Sequence, residues 1–186
     1  MPIMDVRYPA GRLDAAARQA LAGRLTEVMI QMEGGANTEG GRAFATVLLT
    51  EVPAGFWFVG GRPDGTHVSP SGAFLVHVSI PEGYMDQPTK SGVQADVTAA
   101  ILATIGAAPE DGHSIQVILD EVTEGNWAAG GRTISLASIA DTVGLSKSGD
   151  RFAWVRDYFA AKARAFAAAG YPAGTGGLLP GADGRG

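Results

Sequence analysis

Apolar residues recur at helical spacing in two stretches of the chain. In residues 13–32 they share one helical face, at Leu21, Leu25, Val28, Met29 and Met32. In the second stretch the apolar residues also share one helical face, at Val93, Val97, Ile101 and Ile105. The pattern predicts two amphipathic helices, and Asp14 is placed to cap the N-terminus of the first.

Each predicted helix lies between two short apolar runs that are typical of buried strands. Residues 2–11 (PIMDVRYPAG) and 74–83 (FLVHVSIPEG) precede the helices, and 46–49 (TVLL) and 116–119 (QVIL) follow them. Two strands joined by a helix normally run parallel, with a right-handed crossover. The predicted fold class is therefore α+β, with two tandem β-α-β units that share one sheet and place their helices on one face of it.

The second strand of each unit leads into a sequence that occurs twice, 70 residues apart. EVPAGFWFVGGR at 51–62 and EVTEGNWAAGGR at 121–132 agree at seven of twelve positions. We therefore assign residues 1–72 to a first unit with a hairpin connection and residues 73–145 to a second unit. The sequence PDG at 63–65 predicts the turn of that hairpin.

Residues 146–186 lie outside the repeat. Phe152, Val155, Phe159 and Phe166 share a face, which predicts an amphipathic helix that docks on the core or on a neighbouring subunit. The final stretch is rich in Gly and Pro, and we expect it to be mobile or loosely wrapped.

Composition narrows the range of partners. The 186 residues carry a formal net charge of −5, with no cluster of Lys or Arg, so neither nucleic acid nor an anionic membrane is an expected partner. The chain has no Cys, and His67, His77 and His113 lack metal-ligand spacing, so we expect no metal and no cofactor. The N-terminus has no signal-peptide pattern and no apolar run approaches a membrane span, which favours a cytoplasmic protein that acts on small molecules.

A known family shares the main motifs. Pro2, the Gly-Arg pair ten residues on, and the doubled E-V-x-x-G-x-W-x-x-G-G pattern together resemble 4-oxalocrotonate tautomerase, twice over, across residues 2–136. The segment at 53–65 followed by FLVHV resembles the fused two-unit members, in the branches of cis-3-chloroacrylic acid dehalogenase and malonate semialdehyde decarboxylase. The resemblance implies a tautomerase-like fold and a homotrimer.

The resemblance also implies that Pro2 is the catalytic base of an isomerase. Removal of Met1 would free a secondary amine, and an apolar pocket flanked by cations would lower the pKa of that amine toward neutrality. Such a base can move a proton between the enol and keto forms of a small 2-oxo acid. Phe74 occupies the matching position in the second unit, where no amine is free, so that site is expected to be silent.

The implied substrate-binding residues are Arg12, Tyr84, Gln116, Trp127 and Arg132. Arg12 matches the carboxylate-binding arginine of the family, and Tyr84 takes its place in the second unit. Because single-unit relatives share sites across units, Arg12 serves either Pro2 or the pseudo-site of unit 2. Trp127 matches the aromatic wall of the family and is favoured over Trp57, for which core packing is the preferred role.

The chain departs from the family at several positions. Thr46 and Gln116 stand where the single-unit enzyme has a second arginine, and Arg62 and Arg132 are the cations left to replace it. Ala129 stands where the dehalogenase has its water-activating glutamate, so hydrolytic dehalogenation is not supported.

Two alternatives to a tautomerase remain open. A hydratase or decarboxylase on short unsaturated or 3-oxo acids needs a carboxylate that activates water, and the sequence offers Glu33, Glu39 and Glu124. A non-catalytic oligomer that binds a small acid is favoured by the missing arginines.

Overall fold

A mixed four-stranded sheet holds the two units side by side. The computed structural model describes residues 2–33 and 37–181. Within them the strands are β1 (Ile3–Pro9), β2 (Thr46–Val52), β3 (Phe74–Pro81) and β4 (Ile115–Val122). The order is β2-β1-β3-β4, in which β1 is parallel to β2, β3 is parallel to β4, and the two units meet through the antiparallel pair β1–β3.

Long helices connect the parallel strands. They are α1 (Ala15–Met32), followed by the short α2 (Glu39–Phe44), and α3 (Gln87–Ile105), which a 3-10 helix (Pro109–Ser114) separates from β4. The Asp14 carboxylate accepts a hydrogen bond from the Ala17 amide at 2.7 Å and so caps α1 as predicted. The predicted α+β class with two β-α-β units in one sheet is confirmed. No helix of the described residues is long and apolar enough to cross a bilayer.

The core lies between the sheet and the two long helices. Alternate side chains of the central strands face it and are fully buried, at Met4, Val6, Tyr8, Phe74, Val76, Val78 and Ile80. Leu21, Leu25 and Met29 of α1 and Val97 and Ile101 of α3 pack against them, as their spacing predicted. The opposite sheet face carries no helix and leaves Leu48 at 51% and Ile118 at 41% exposure.

Each Gly-Gly pair of the repeat forms a tight hairpin turn. Val59 and Arg62 exchange backbone hydrogen bonds around Gly60 and Gly61, whose φ values are +59° and +76°. In unit 2 the strands β5 (Ala128–Ala129) and β6 (Arg132–Thr133) enclose an equivalent turn. Positive φ at both central residues is what a type I′ turn needs, and glycine adopts it without a Cβ clash. The reversal between the units is therefore at Gly60–Gly61, not at the PDG sequence where we expected it.

Two helices follow the hairpin of unit 2. They are α4 (Leu136–Val143), at the end of the second unit, and α5 (Asp150–Ala168), whose Val155 and Phe159 join the main core. Of the two surfaces that the sequence left open for this helix, α5 thus uses the core of its own chain. The described part of the tail is held by hydrogen bonds, among them Ser135 Oγ to the Pro180 carbonyl at 2.8 Å. Residues 182–186 of the expected mobile tail lie outside the described residues.

Candidate functional site

Pro2 lies at one end of the sheet, next to the end of β3. It directly precedes β1, and the antiparallel register sets Ile3 opposite Ser79, so the residues after β3 come close to Pro2. Phe74 lies at the opposite end of the sheet, where β1 finishes. The two pseudo-equivalent positions of the repeat therefore define two separate ends of one sheet. Met1, whose removal the mechanism requires, lies outside the described residues.

A small apolar cavity surrounds Pro2. Pro2 itself is buried, and the apolar residues around the cavity are Met32, Ile80, Pro81, Met85, Leu136 and Ile139. Glu33 and Tyr84 are the polar residues of the lining. The cavity measures about 10 Å³, which is room for roughly one water molecule. Because Leu136 and Ile139 belong to α4, that helix forms one wall of the cavity.

The polar part of the lining comes from the end of α1 and the loop after β3. Tyr84 is 6% exposed, and its hydroxyl donates a hydrogen bond to the Glu33 carbonyl at 2.9 Å. Glu33 is 5% exposed. Burial raises the pKa of the Tyr84 hydroxyl, and the nearby Arg151 guanidinium opposes that rise. Tyr84 is therefore a neutral hydrogen-bonding group at physiological pH.

Arg151 of α5 is the cation that borders this lining. Its Nη1 donates a hydrogen bond to the Met32 carbonyl at the end of α1. Its Cζ lies 5.1 Å from the centroid of the Tyr84 ring, a cation–π distance. Sequence reasoning missed this residue because it lies outside the repeat and outside the family resemblance. No local motif distinguishes it from the other arginines of the C-terminal helix.

Arg12 lies at the Phe74 end of the sheet. Seven strand residues separate it from Pro2, and at about 3.3 Å per residue they span roughly 20 Å. The Arg12 side chain donates a hydrogen bond to the carbonyl of Ser71, three residues before Phe74, at 2.5 Å. Within one chain, Arg12 therefore lies beside the pseudo-site of unit 2 and away from Pro2.

Gln116 also belongs to the Phe74 end, because it pairs with Leu75 in the β3–β4 ladder. It lines an open groove of about 360 Å³ together with Trp57, His67, Phe74 and His113. The groove is larger and more polar than the cavity at Pro2. Gln116 and Pro2 are thus not brought together within one chain.

Trp127 and Arg132 lie in the hairpin that follows β4, at the Pro2 end of the sheet. Trp127 is half-buried and its carbonyl accepts a hydrogen bond from the Ile134 amide at 2.8 Å, whereas Arg132 is exposed. Neither residue lines the cavity at Pro2. Of the five predicted substrate-binding residues, Tyr84 shares the cavity with Pro2 in this chain.

The three carboxylates that the sequence offered for water activation lie in different places. Glu33 lines the cavity at Pro2, and Glu39 is exposed at the start of α2. The Glu124 carboxylate accepts hydrogen bonds from the Leu136 amide at 3.1 Å and the Leu179 amide at 3.3 Å, so it anchors α4 and the tail. Burial raises the pKa of Glu124, and these amide hydrogen bonds oppose the rise. Of these three carboxylate residues, Glu33 is the one that lines the cavity at Pro2.

No metal site is formed by the part of the chain that the structure describes. Among residues 2–33 and 37–181, no group of three or more His, Asp or Glu side chains is arranged to hold a metal ion.

Comparison with known proteins finds one matching family. The sequence profile described as tautomerase enzyme matches residues 75–137, which span β3, α3, β4 and the hairpin of unit 2. Unit 2 thus carries the sequence pattern of the tautomerase superfamily. A search of curated protein sequences gives no significant match.

Solved structures of this superfamily share the fold. A native fused 4-OT is 24% identical, with a TM-score of 0.58 over 70% of this chain and 94% of that one. A fused 4-OT solved as an asymmetric trimer is 20% identical, with a TM-score of 0.57 over the same shares. A member of the cis-3-chloroacrylic acid dehalogenase family is 23% identical, with a TM-score of 0.56 over 71% of this chain and 82% of that one. These similarities establish the two-unit architecture.

Proposed function

We propose that this chain is a tautomerase whose general base is the secondary amine of Pro2, freed by removal of Met1. The observation that carries the proposal is the burial of Pro2 in an apolar cavity whose polar lining is Glu33 and Tyr84. The proposed substrates are the enol and keto forms of small 2-oxo acids. The match of residues 75–137 to the tautomerase profile supports this reaction class.

The surroundings of Pro2 favour a free base near neutral pH. An α-amino group ordinarily has a pKa of about 8, and desolvation among Ile80, Leu136 and Ile139 disfavours its charged form. The Arg151 cation acts in the same direction, and the Glu33 carboxylate acts in the opposite one. The Tyr84 hydroxyl would donate a hydrogen bond to the oxygen that gains charge as the proton leaves carbon, once a substrate displaces its hydrogen bond to the Glu33 carbonyl.

Turnover of phenylenolpyruvate tests the proposal. Pro2→Ala is expected to lower the rate by at least about tenfold, which is below the usual contribution of a positioned base. Pro9→Ala, at the other end of β1, is the matched control and is expected to keep the wild-type rate. A tag fused ahead of Pro2 should abolish activity, and a C-terminal tag should not.

Intact mass completes the test, because Met1 must be absent from the active protein. The proposed mechanism would be wrong if the active protein retained Met1 or if Pro2→Ala kept the wild-type rate. A protein that binds a small acid without turning it over would then be the better description.

A hydratase or decarboxylase is the second candidate, and the position of Glu33 favours it. Glu33 is buried and lines the same cavity as Pro2, and the cavity has room for about one water molecule. A carboxylate in that position could act as the base that activates the water. Glu33→Gln is expected to abolish hydration of an acetylenic 2-oxo acid while leaving enol ketonisation within about threefold of wild type. Equal losses in both reactions would favour a positioning role for Glu33.

We further propose that the chain acts as a homotrimer with a small-molecule carboxylate as its ligand. Fused 4-OT structures, which share this fold, have been solved as trimers. The helix-free sheet face leaves Leu48 and Ile118 exposed, and a subunit interface would bury them. In such an assembly Trp127 and Arg132 could reach the site of a neighbouring protomer.

A further inference from the structure

The repeat places different residues at its two equivalent ends. Arg12 follows β1 and lies beside the Phe74 end, where it donates a hydrogen bond to the Ser71 carbonyl. Tyr84 follows β3 in the same way and lies beside Pro2. The end of the sheet that has the cation therefore lacks the amine, and the end that has the proline has a neutral phenol in place of the cation.

Arg151 returns a positive charge to the Pro2 end from outside the repeat. Its guanidinium lies 5.1 Å from the Tyr84 ring centroid and donates a hydrogen bond to the Met32 carbonyl. Both Tyr84 and Met32 line the cavity at Pro2. A guanidinium carries five N–H donors, and one carbonyl acceptor leaves others for a ligand. Arg151 is also partly exposed, so a ligand that opens the cavity can reach it.

Three other cations, unlike Arg151, make their contacts away from the cavity. Lys162 of α5 holds both carboxylate oxygens of Glu82, at 2.6 and 2.7 Å. Arg62 pairs with Asp64 at 2.5 Å, at the Phe74 end of the chain. Arg156, on the same helix as Arg151, donates to the Lys147 carbonyl at 2.9 Å and lies over the Phe152 ring. Arg151 is therefore the cation whose contacts belong to the lining of the Pro2 cavity.

We propose that Arg151 binds the carboxylate of the substrate at the Pro2 site, and that the substrate is a 2-oxo monocarboxylic acid with an apolar tail. This inference rests on the proposed tautomerase function. The fork of the guanidinium matches a planar carboxylate. The remaining walls, Ile80, Leu136 and Ile139, suit an apolar tail. A second carboxylate among these apolar walls would lose its hydration, so dicarboxylic acids are disfavoured.

Steady-state kinetics of Arg151→Met test the proposal. For phenylenolpyruvate the variant is expected to raise KM by at least about tenfold, the usual loss for a hydrogen bond to a charged group, with kcat within about threefold of wild type. For the methyl ester of the same enol, KM should stay within about twofold because the ester has no charge to bind. Arg151→Lys should give an intermediate KM for the acid, since an ammonium keeps the charge but not the fork.

Arg156→Met is the matched control. It removes an arginine of the same helix that also makes one carbonyl hydrogen bond and one cation–π contact. Both kinetic constants should remain at the wild-type level. If Arg151→Met does not fold, as judged by its unfolding transition, KM for the acid and for the ester is compared in Arg151→Lys instead.

Two outcomes would overturn the inference. The first is an unchanged KM of Arg151→Met for the acid. The second is an equal rise in KM for the acid and the ester, which would show that Arg151 only ties α5 to α1. Calorimetric binding of phenylpyruvate separates this failure from failure of the proposed function. If Pro2→Ala retains full turnover, the mechanism is lost, but the binding of phenylpyruvate by wild type and not by Arg151→Met would still support Arg151. Absence of binding to wild type would count against both.

Discussion

Lys162 on the C-terminal helix holds the carboxylate of Glu82, with its Nζ 2.6 Å from Oε1 and 2.7 Å from Oε2. Glu82 follows β3, so this pair ties α5 to the end of the sheet where Pro2 lies. Tyr158 adds a hydrogen bond to the same carboxylate at 2.9 Å. The side chains of Glu82 and Lys162 are only 14% and 17% exposed, so water screens the pair weakly.

Removing this carboxylate should loosen the C-terminal segment. Glu82→Gln is expected to lower the free energy of unfolding at pH 7 by about 2 kcal/mol, the scale of hydrogen bonds to a charged group. Glu27→Gln is the control, because the Glu27–Arg42 pair has a similar 2.6 Å distance but side chains that are 54% and 44% exposed. The control should lose less than about 1 kcal/mol in chemical denaturation. Equal losses of unfolding free energy in the two variants would show that Glu82 does not anchor the C-terminal helix.

The same pair predicts a pH dependence. Burial raises the pKa of the Glu82 carboxyl, but hydrogen bonds from Lys162 and Tyr158 outweigh burial and hold the pKa below its ordinary value. A depressed pKa in the folded state stabilises the protein above the unfolded pKa of about 4.3, and this stabilisation is lost as pH falls through the folded pKa. The difference in unfolding free energy between wild type and Glu82→Gln should therefore shrink below about pH 4. A difference that stays constant down to acid pH would contradict the pairing.

The wall that α4 builds over Pro2 predicts a change in substrate access. Ile139→Ala removes part of that wall and should lower KM for phenylenolpyruvate, at a stability cost of about 2–4 kcal/mol. Val143→Ala is the control, because Val143 is 1% exposed on the same helix but does not line the cavity. It should destabilise the protein without changing KM. Parallel kinetic effects in both variants would indicate a general loosening of α4.

The repeat predicts one working site per chain. The ring nitrogen of Pro2 can become an amine, whereas the nitrogen of Phe74 remains in a peptide bond and is not basic. An acetylenic 2-oxo acid that reacts with a free amine should therefore add once per chain, on the peptide that contains Pro2. Labelling should weaken as pH falls and the amine takes up a proton. Peptide mass spectrometry that finds two labels per chain, or a label in unit 2 alone, would contradict this assignment.

The helix-free sheet face predicts the assembly. Leu48→Lys should dissociate the proposed trimer, because it puts a charge in place of an apolar side chain that is 51% exposed in the single chain and that the interface would bury. Trp154→Lys, on the outer side of α5 and 45% exposed, is the control and should leave assembly unchanged. Sedimentation velocity measures both. A wild-type species of 19.1 kDa at micromolar concentration would show that the chain does not assemble.

The sequence alone determined the two β-α-β units and their ends. The spacing of Leu21, Leu25 and Met29 fixed a helical face, and Asp14 marked its start, because helical periodicity and capping act within a few residues. The repeat at 51–62 and 121–132 gave the duplication, since equivalent residues adopt equivalent hairpins. It could not show that the Gly-Gly pairs, and not the PDG sequence, make the turns.

The tertiary structure decided which residues meet at Pro2. The antiparallel pairing of β1 with β3 brings Tyr84 to Pro2 and carries Arg12 about 20 Å away, an outcome of register between strands more than 60 residues apart. Arg151 contacts Tyr84 and Met32 of the cavity lining because Val155 and Phe159 bury α5 in the core. Such long-range packing depends on the complementary shapes of distant surfaces, which no local pattern in the sequence encodes.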